Sequence, residues 1–371
     1  MKNKNFKADV TSPRILIAPL DWGLGHATRC IPIIKELIRL NCTVIIAAEH
    51  SIYSLLKKEF PTTVFLRFKG YKIKYSRHKK YLVLKILLQL PKILFSIWRE
   101  HLWIKKLVEE DAIDAIISDN RLGMSSKKIP SIYITHQLYI KTGNTFTEKI
   151  AQRIHYHYIK NYNKCWVPDY EEDGLAGMLS HPKKVPTNVE FIGPLSRLIP
   201  LQNTEPVYDL LILLSGPEPQ RSIFENQIIA QLKSFSGSVF LARGLPNEKD
   251  NLNLNSKFIK VVNHIGGEDL NKVLSQSKLI IARCGYTTVM DLAAIKKTAL
   301  LIPTPGQTEQ EYLAKYLSEK KYFLTVRQEE FILPELFKKS AAFKCKLIDF
   351  SFEEYKKAIG QLVMSLNRSN F

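Results

Sequence analysis

Two series of short apolar segments, each opening on the same strand–loop–helix unit, restrict the fold of this chain more than any other feature. In the first series, residues 14–20 (RILIAPL) lead through a turn-rich loop, 21–26, into a helical pattern from Ala27 to Leu40. Ile31, Ile34, Leu37 and Ile38 share one face of that helix. Segments 43–48, 112–118 and 131–135 read as further strands. The second series begins at 208–214 (YDLLILL) and continues at 238–242, 258–262, 279–282 and 298–302. Strands that are apolar on both faces and separated by helices belong to parallel sheets covered on both sides. The expected architecture is therefore α/β, with two Rossmann-like, doubly wound domains facing a central cleft. Residues 1–200 form the first domain and 201–350 the second; the Pro-containing segment 198–207 joins them, and a helix at 353–366 lies in a closing segment, 351–371. A length of 371 residues suits two such domains. Ligands of these sheets bind beyond the carboxyl ends of the strands.

Chemistry-bearing residues cluster where that rule puts them. Arg283-Cys-Gly-Tyr-Thr-Thr-Val-Met-Asp291 follows one strand and runs into a helix. Gly285 lets the backbone approach a ligand closely. Thr287 and Thr288, near the helix start, offer hydroxyls and free N–H groups to a phosphate, and Arg283 adds positive charge. Asp291 is suited to a ribose diol. After the next strand, Pro303-Thr-Pro-Gly-Gln-Thr-Glu-Gln310 presents Glu309 and Gln310, suited to sugar hydroxyls. In the first half, Trp22-Gly-Leu-Gly-His-Ala-Thr-Arg29 supplies a G-x-G loop containing Gly25, followed by His26. A G-x-G loop alone is weak evidence, and the third glycine of a dinucleotide fingerprint is missing. His26 is a candidate general base for activating a sugar hydroxyl, with Asp119 as its orienting partner. Asp119 also reads as a strand-end turn residue. His136 follows another strand toward the cleft as a candidate acceptor contact, or as a packed histidine.

The order strand, R-C-G-Y-T-T-x-x-D, then P-x-P-G-x-x-E-Q resembles the donor site of family 28 glycosyltransferases, which include the MurG enzymes. It is also similar to the signature of the UDP-glycosyltransferases, where His stands at the position of Arg283 and Glu at that of Asp291. The resemblance implies a GT-B fold, with the final helix crossing back onto the first domain. It assigns Arg283, Thr287 and Thr288 to the donor diphosphate, Asp291 to the ribose, and Glu309 with Gln310 to the donor sugar. Ile265 falls where such enzymes bind the base through backbone groups. Arg197, in Gly-Pro-Leu-Ser-Arg, resembles a phosphate-contacting element near the domain joint. Ser215 and Gly216 resemble the glycine-rich loop that opens the second domain, a loop that also holds Arg221. The implied activity is inverting, metal-independent transfer of a hexose-type sugar from a UDP-sugar to an acceptor hydroxyl, with no cofactor. A UDP-GlcNAc 2-epimerase-like enzyme and a non-catalytic nucleotide-binding or membrane-docking subunit are the alternatives.

Charge points to the surroundings. The formal net charge is +19, and between Arg67 and Lys106 twelve Lys/Arg residues face a single acid, Glu100. Such a stretch suits a polyanion or an anionic surface. No zinc finger, RNP-type motif or clear helix-turn-helix accompanies it, so no nucleic-acid partner is expected. Segment 81–98 is apolar but interrupted by Lys85, Pro91 and Lys92, too broken to span a bilayer. It reads as an interfacial amphipathic segment with Trp98 and Trp103 as anchors, or as a core helix with a solvated basic face. With the MurG resemblance, it suggests a lipid-linked or membrane-associated acceptor and peripheral attachment to the inner face of the cytoplasmic membrane. Five scattered cysteines with no CxxC pair, and no visible signal peptide, suit a cytoplasmic protein.

Overall fold

The computed structural model describes residues 12–71, 89–250 and 252–368. Part of the 81–98 segment therefore lies outside the described residues. The first sheet contains β1 (Arg14–Pro19), β2 (Thr43–Ala47), β3 (Val64–Leu66), β4 (Ala115–Asp119), β5 (Ser131–Ile134), β6 (Lys164–Val167) and β7 (Val189–Phe191). Their order is β3-β2-β1-β4-β5-β6-β7. The second sheet contains β8 (Tyr208–Leu213), β9 (Val239–Ala242), β10 (Ile259–Val262), β11 (Ser277–Arg283), β12 (Leu300–Ile302) and β13 (Leu324–Thr325), in the order β10-β9-β8-β11-β12-β13. Neighbouring strands pair in parallel in both sheets. The expected fold class is observed. β3, β6, β7 and β13 were not expected from the sequence: at two to four residues each, they carry too little pattern to stand out.

The helices are α1 (Leu24–Arg39), α2 (His50–Glu59), α3 (Leu90–Glu109), α4 (Thr145–Ile159), α5 (Gln220–Leu232), α6 (Gly267–Ser275), α7 (Tyr286–Ala294), α8 (Thr308–Glu319), α9 (Leu333–Ala342) and α10 (Glu353–Arg368). In each sheet the winding direction reverses at the centre, between β1 and β4 and between β8 and β11. At such a reversal the loops leaving adjacent strands diverge and open a crevice. The loops after β1 and β4 and those after β8 and β11 are therefore where a site is expected.

One apolar cluster runs across both halves. It joins Ile31, Ile34 and Leu37 of α1 to Val289 of α7 and to Ile359, Leu362 and Leu366 of α10. The last helix thus packs on α1, because its inner face is apolar at helical spacing.

Candidate active site

The segment expected to be a loop, 21–26, gives way to helix at Leu24, so Gly25 and His26 stand in the first turn of α1. His26 and Arg29, three residues apart, share a face. The β1–β4 pairing sets Pro19 beside Asp119, which brings the end of β4 under that turn. Asp119 is fully buried, and Arg29 is 2% exposed. Arg29 grips the carboxylate with a fork, its Nε 2.7 Å from Oδ2 and its Nη2 donating to Oδ1. His26 places Nδ1 3.2 Å from Asp119 Oδ1 and keeps 18% of its side chain exposed. Burial alone would raise the carboxyl of Asp119, but Arg29 and then His26 hold it well below the usual carboxylate range.

The cluster continues across the cleft. Arg29 Nη2 lies 2.9 Å from His26 Nδ1, and Nη1 lies 3.0 Å from His136 Nδ1. His136, 5% exposed and stacked on Tyr286 at 4.4 Å, sets its Nε2 2.8 Å from Glu309 Oε1 of the second domain. Burial lowers the pKa of His136, only partly opposed by Glu309. Glu309 in turn, only partly buried, is held low by His136, His26 and Arg29. Arg29 was not singled out in the sequence; its spacing from His26 on the expected helix is the signal that could have found it.

A further second-domain contact reaches the turn that holds His26. Thr287 Oγ1 donates to the carbonyl of Gly25 at 3.2 Å, and a Cβ on Gly25 would sit 3.2 Å from that hydroxyl. Gly285 caps α7, with Thr288 in its first turn. Ser215 and Gly216 form the exposed loop after β8, and Gly216 adopts φ 103°. Facing Gly216, Thr304 Oγ1 is buried without a hydrogen-bond partner among the described residues. Arg197 likewise has a buried, unpartnered Nε and lies against Gly267. Beside it, a cleft of about 470 Å3 lies between α2 and the loop after β10. Its walls include Lys58, Glu59, Leu245, Asn263, His264 and Gly266, so Ile265 is flanked by lining residues.

Four residues expected at the donor site are engaged by other protein groups. Arg283 is held inside the second domain, with its Nε left without a hydrogen-bond partner among the described residues. It is 1% exposed, with its guanidinium 4.2 Å from the Phe224 ring and donating to the carbonyls of Gln220 (3.1 Å) and Pro303 (3.4 Å). Burial lowers its pKa to about 10, and it ties together the loops after β8 and β12. Arg221 is engaged by Glu218 at 2.5 Å and Glu225 at 3.1 Å, so its charge is neutralised inside the domain. Asp291 turns to the domain joint, where it accepts from Ser196 Oγ at 2.7 Å; burial raises its pKa. Gln310 braces the turn after β12, accepting from Thr304 N at 2.9 Å and donating to Gln307 Oε1 at 2.5 Å.

Among the described residues, no group of three or more His, Cys, Asp or Glu is placed to hold a metal ion. No described helix is long and apolar enough to cross a membrane.

Comparisons with known proteins agree with this architecture. Residues 248–358 match the family model "Glycosyltransferase family 28 C-terminal domain". An uncharacterized glycosyltransferase of Methanosarcina acetivorans is 23% identical over 336 residues, covering 83% of this chain and 84% of that protein. MurG of Acinetobacter baumannii superposes with TM-score 0.51 at 15% identity over 96% of this chain and 95% of its own. The calicheamicin glycosyltransferase CalG4 gives 0.58 at 13% identity, over 96% and 95%. Arabidopsis thaliana UGT89C1, complexed with UDP-L-rhamnose, gives 0.56 at 12%, over 96% and 93%. The chain thus has the GT-B fold of these structures, and its residues 248–358 match the family 28 C-terminal domain model.

Proposed function

We propose that this enzyme transfers a sugar from a UDP-sugar to an acceptor hydroxyl with inversion, using His26 as general base. The observation that carries the reading is the position of His26. It is partly exposed, backed by the buried Asp119, and opens beside the start of α7 in the family 28 portion. The acceptor oxygen attacks the anomeric carbon while its proton passes to His26 Nε2. The bond from that carbon to the diphosphate breaks, and the diphosphate leaves with the electron pair. For Nε2 to accept, Nδ1 must carry the proton toward Asp119. The N–H groups at the start of α7, the hydroxyls of Thr287 and Thr288, and Arg197 are suited to the developing charge of the leaving group. Ser215, Gly216 and the unpartnered Thr304 hydroxyl are further candidate donor contacts, and the cleft at His264–Gly266 suits a nucleoside.

A lipid-linked or membrane-associated acceptor fits the surface of α3. Leu94, Trp98 and Leu102 recur every four residues, with Phe95 alongside, all between 44% and 55% exposed. Lys92, Arg99, Lys105 and Lys106 lie on the same helix. Exposed apolar side chains amid lysines and arginines are suited to an anionic bilayer surface.

The test is UDP release from a panel of UDP-sugars in the presence of membrane lipid extract, comparing wild type with His26→Gln. Acceptor-dependent UDP release that falls about 10²- to 10⁴-fold in the variant is expected. Undiminished release in His26→Gln removes His26 as the base, and conversion of a UDP-sugar without any acceptor removes the transferase reading.

A further inference from the structure

We propose that Arg29 is a positioning residue that ties proton acceptance by His26 to the docking of the second domain. The inference rests on the transferase reading above and goes beyond it, to the control of the base. A guanidinium has five N–H donors and no acceptor, so an imidazole nitrogen whose partner is that guanidinium alone presents a lone pair, whereas His26 Nδ1, which also faces the Asp119 carboxylate, can carry the proton. Arg29 Nη1 faces His136 Nδ1 at 3.0 Å. The one proton of neutral His136 therefore sits on Nε2, aimed at Glu309 Oε1 at 2.8 Å. The chain Asp119–Arg29–His136–Glu309 thus runs from the first domain into the second with each donor and acceptor role assigned.

The charges of the cluster give this chain its consequence. Asp119 and Glu309 are two negative groups, Arg29 is one positive group, and both imidazoles are neutral before reaction. The sum is one negative charge, and a proton accepted by His26 brings it to zero. Without Glu309 the same proton would leave a net positive charge around the buried Arg29, which burial disfavours. Arg29 cancels Asp119 locally, so the charge that compensates the imidazolium comes from the other domain. Arg29 Nη2 also competes with Asp119 for His26 Nδ1, at 2.9 Å against 3.2 Å. The other groups around the cluster are ones whose ionisation is disfavoured by burial: Cys30, with Sγ 3.7 Å from Asp119 Oδ2, Tyr133, Tyr286 stacked on His136, and Cys284 near Glu309. None of these thiols or phenols supplies a charge at neutral pH.

Two readouts test the proposal. Long-range 1H–15N correlation of the 15N-histidine-labelled protein, assigned with His26→Gln and His136→Gln, should find wild-type His136 neutral with its proton on Nε2. In the pH profile of kcat/KM, Arg29→Gln should move the acid limb up by roughly one pH unit, and Glu309→Gln should move it down by a similar amount. Arg29→Lys, which keeps the charge and loses the fork, should restore the limb but not the tautomer. A proton on His136 Nδ1, a charged His136 at neutral pH, or equal loss of rate at every pH in both glutamine variants would overturn the proposal. Should Arg29→Gln fail to fold, the wild-type tautomer, Arg29→Lys and Glu309→Gln decide it. The base reading is judged separately: an acid limb surviving in His26→Gln removes His26 as the titrating base, while the His136 tautomer stands or falls by itself.

Discussion

Replacing Asp119 with Asn removes one charge from a pair that is almost wholly inside the first domain. Asp119 is fully buried and Arg29 is 2% exposed. The amide keeps the shape but turns one acceptor of the guanidinium fork into a donor, leaving Arg29 charged and half satisfied in the interior. Breaking a buried pair by removing one partner costs about 3–5 kcal/mol, whereas removing both charges costs much less. Asp119→Asn combined with Arg29→Gln should therefore recover at least half of the loss, a coupling of roughly 2 kcal/mol. All four tryptophans (Trp22, Trp98, Trp103 and Trp166) lie in the first half of the chain, so tryptophan fluorescence reports unfolding of this domain alone. With a urea slope of about 2 kcal/mol/M, the single variant's midpoint should fall by roughly 1.5–2.5 M. A midpoint within about 0.3 M of wild type, or a double variant whose loss is the sum of the two singles, would refute the claim that the pair is buried and mutually compensating.

Four further outcomes are expected. Burial pushes His155 down to about 4, so the unfolded chain takes up a proton between about pH 6.5 and 4 that the folded protein resists. Stability is then retained above pH 6.5 and lost as the pH falls across that window, by up to about 3 kcal/mol, and His155→Gln should flatten this slope in urea titrations at each pH. A Cβ on Gly123 would lie 2.2 Å from the carbonyl oxygen of Ile97, so Gly123→Ala should cost about 2 kcal/mol or more. Gly360→Ala in α10, where nothing lies within 4 Å, should stabilise by about 0.5–1 kcal/mol by thermal or chemical melting. Replacing Phe95 and Trp98 with Ser should weaken binding to anionic phospholipid vesicles in co-sedimentation by about tenfold or more, and unchanged binding would remove α3 as the docking face.

The sequence by itself determined the class of fold, and the reason is periodicity. Runs such as 14–20 and 208–214 are apolar at consecutive positions, which only strands covered on both faces require, and the helical spacing between them dictates parallel connections. It also determined where the strand-end loops would fall, because strand ends and glycines are local features. Tertiary structure alone decided which way the long side chains turn. Arg283 and Arg221 sit at the expected loops, yet their guanidinium groups fold inward to Phe224 and to Glu218 with Glu225. Asp291 accepts from Ser196 at the domain joint, beside Arg197. Nothing in local pattern distinguishes an arginine that awaits a phosphate from one that has found a carboxylate, since both obey the same charge chemistry. The pairing of Arg29 with Asp119 and of His136 with Glu309 spans 90 and 173 residues. Those contacts follow from the β1–β4 crossing and from the docking of two domains, which no window of sequence contains.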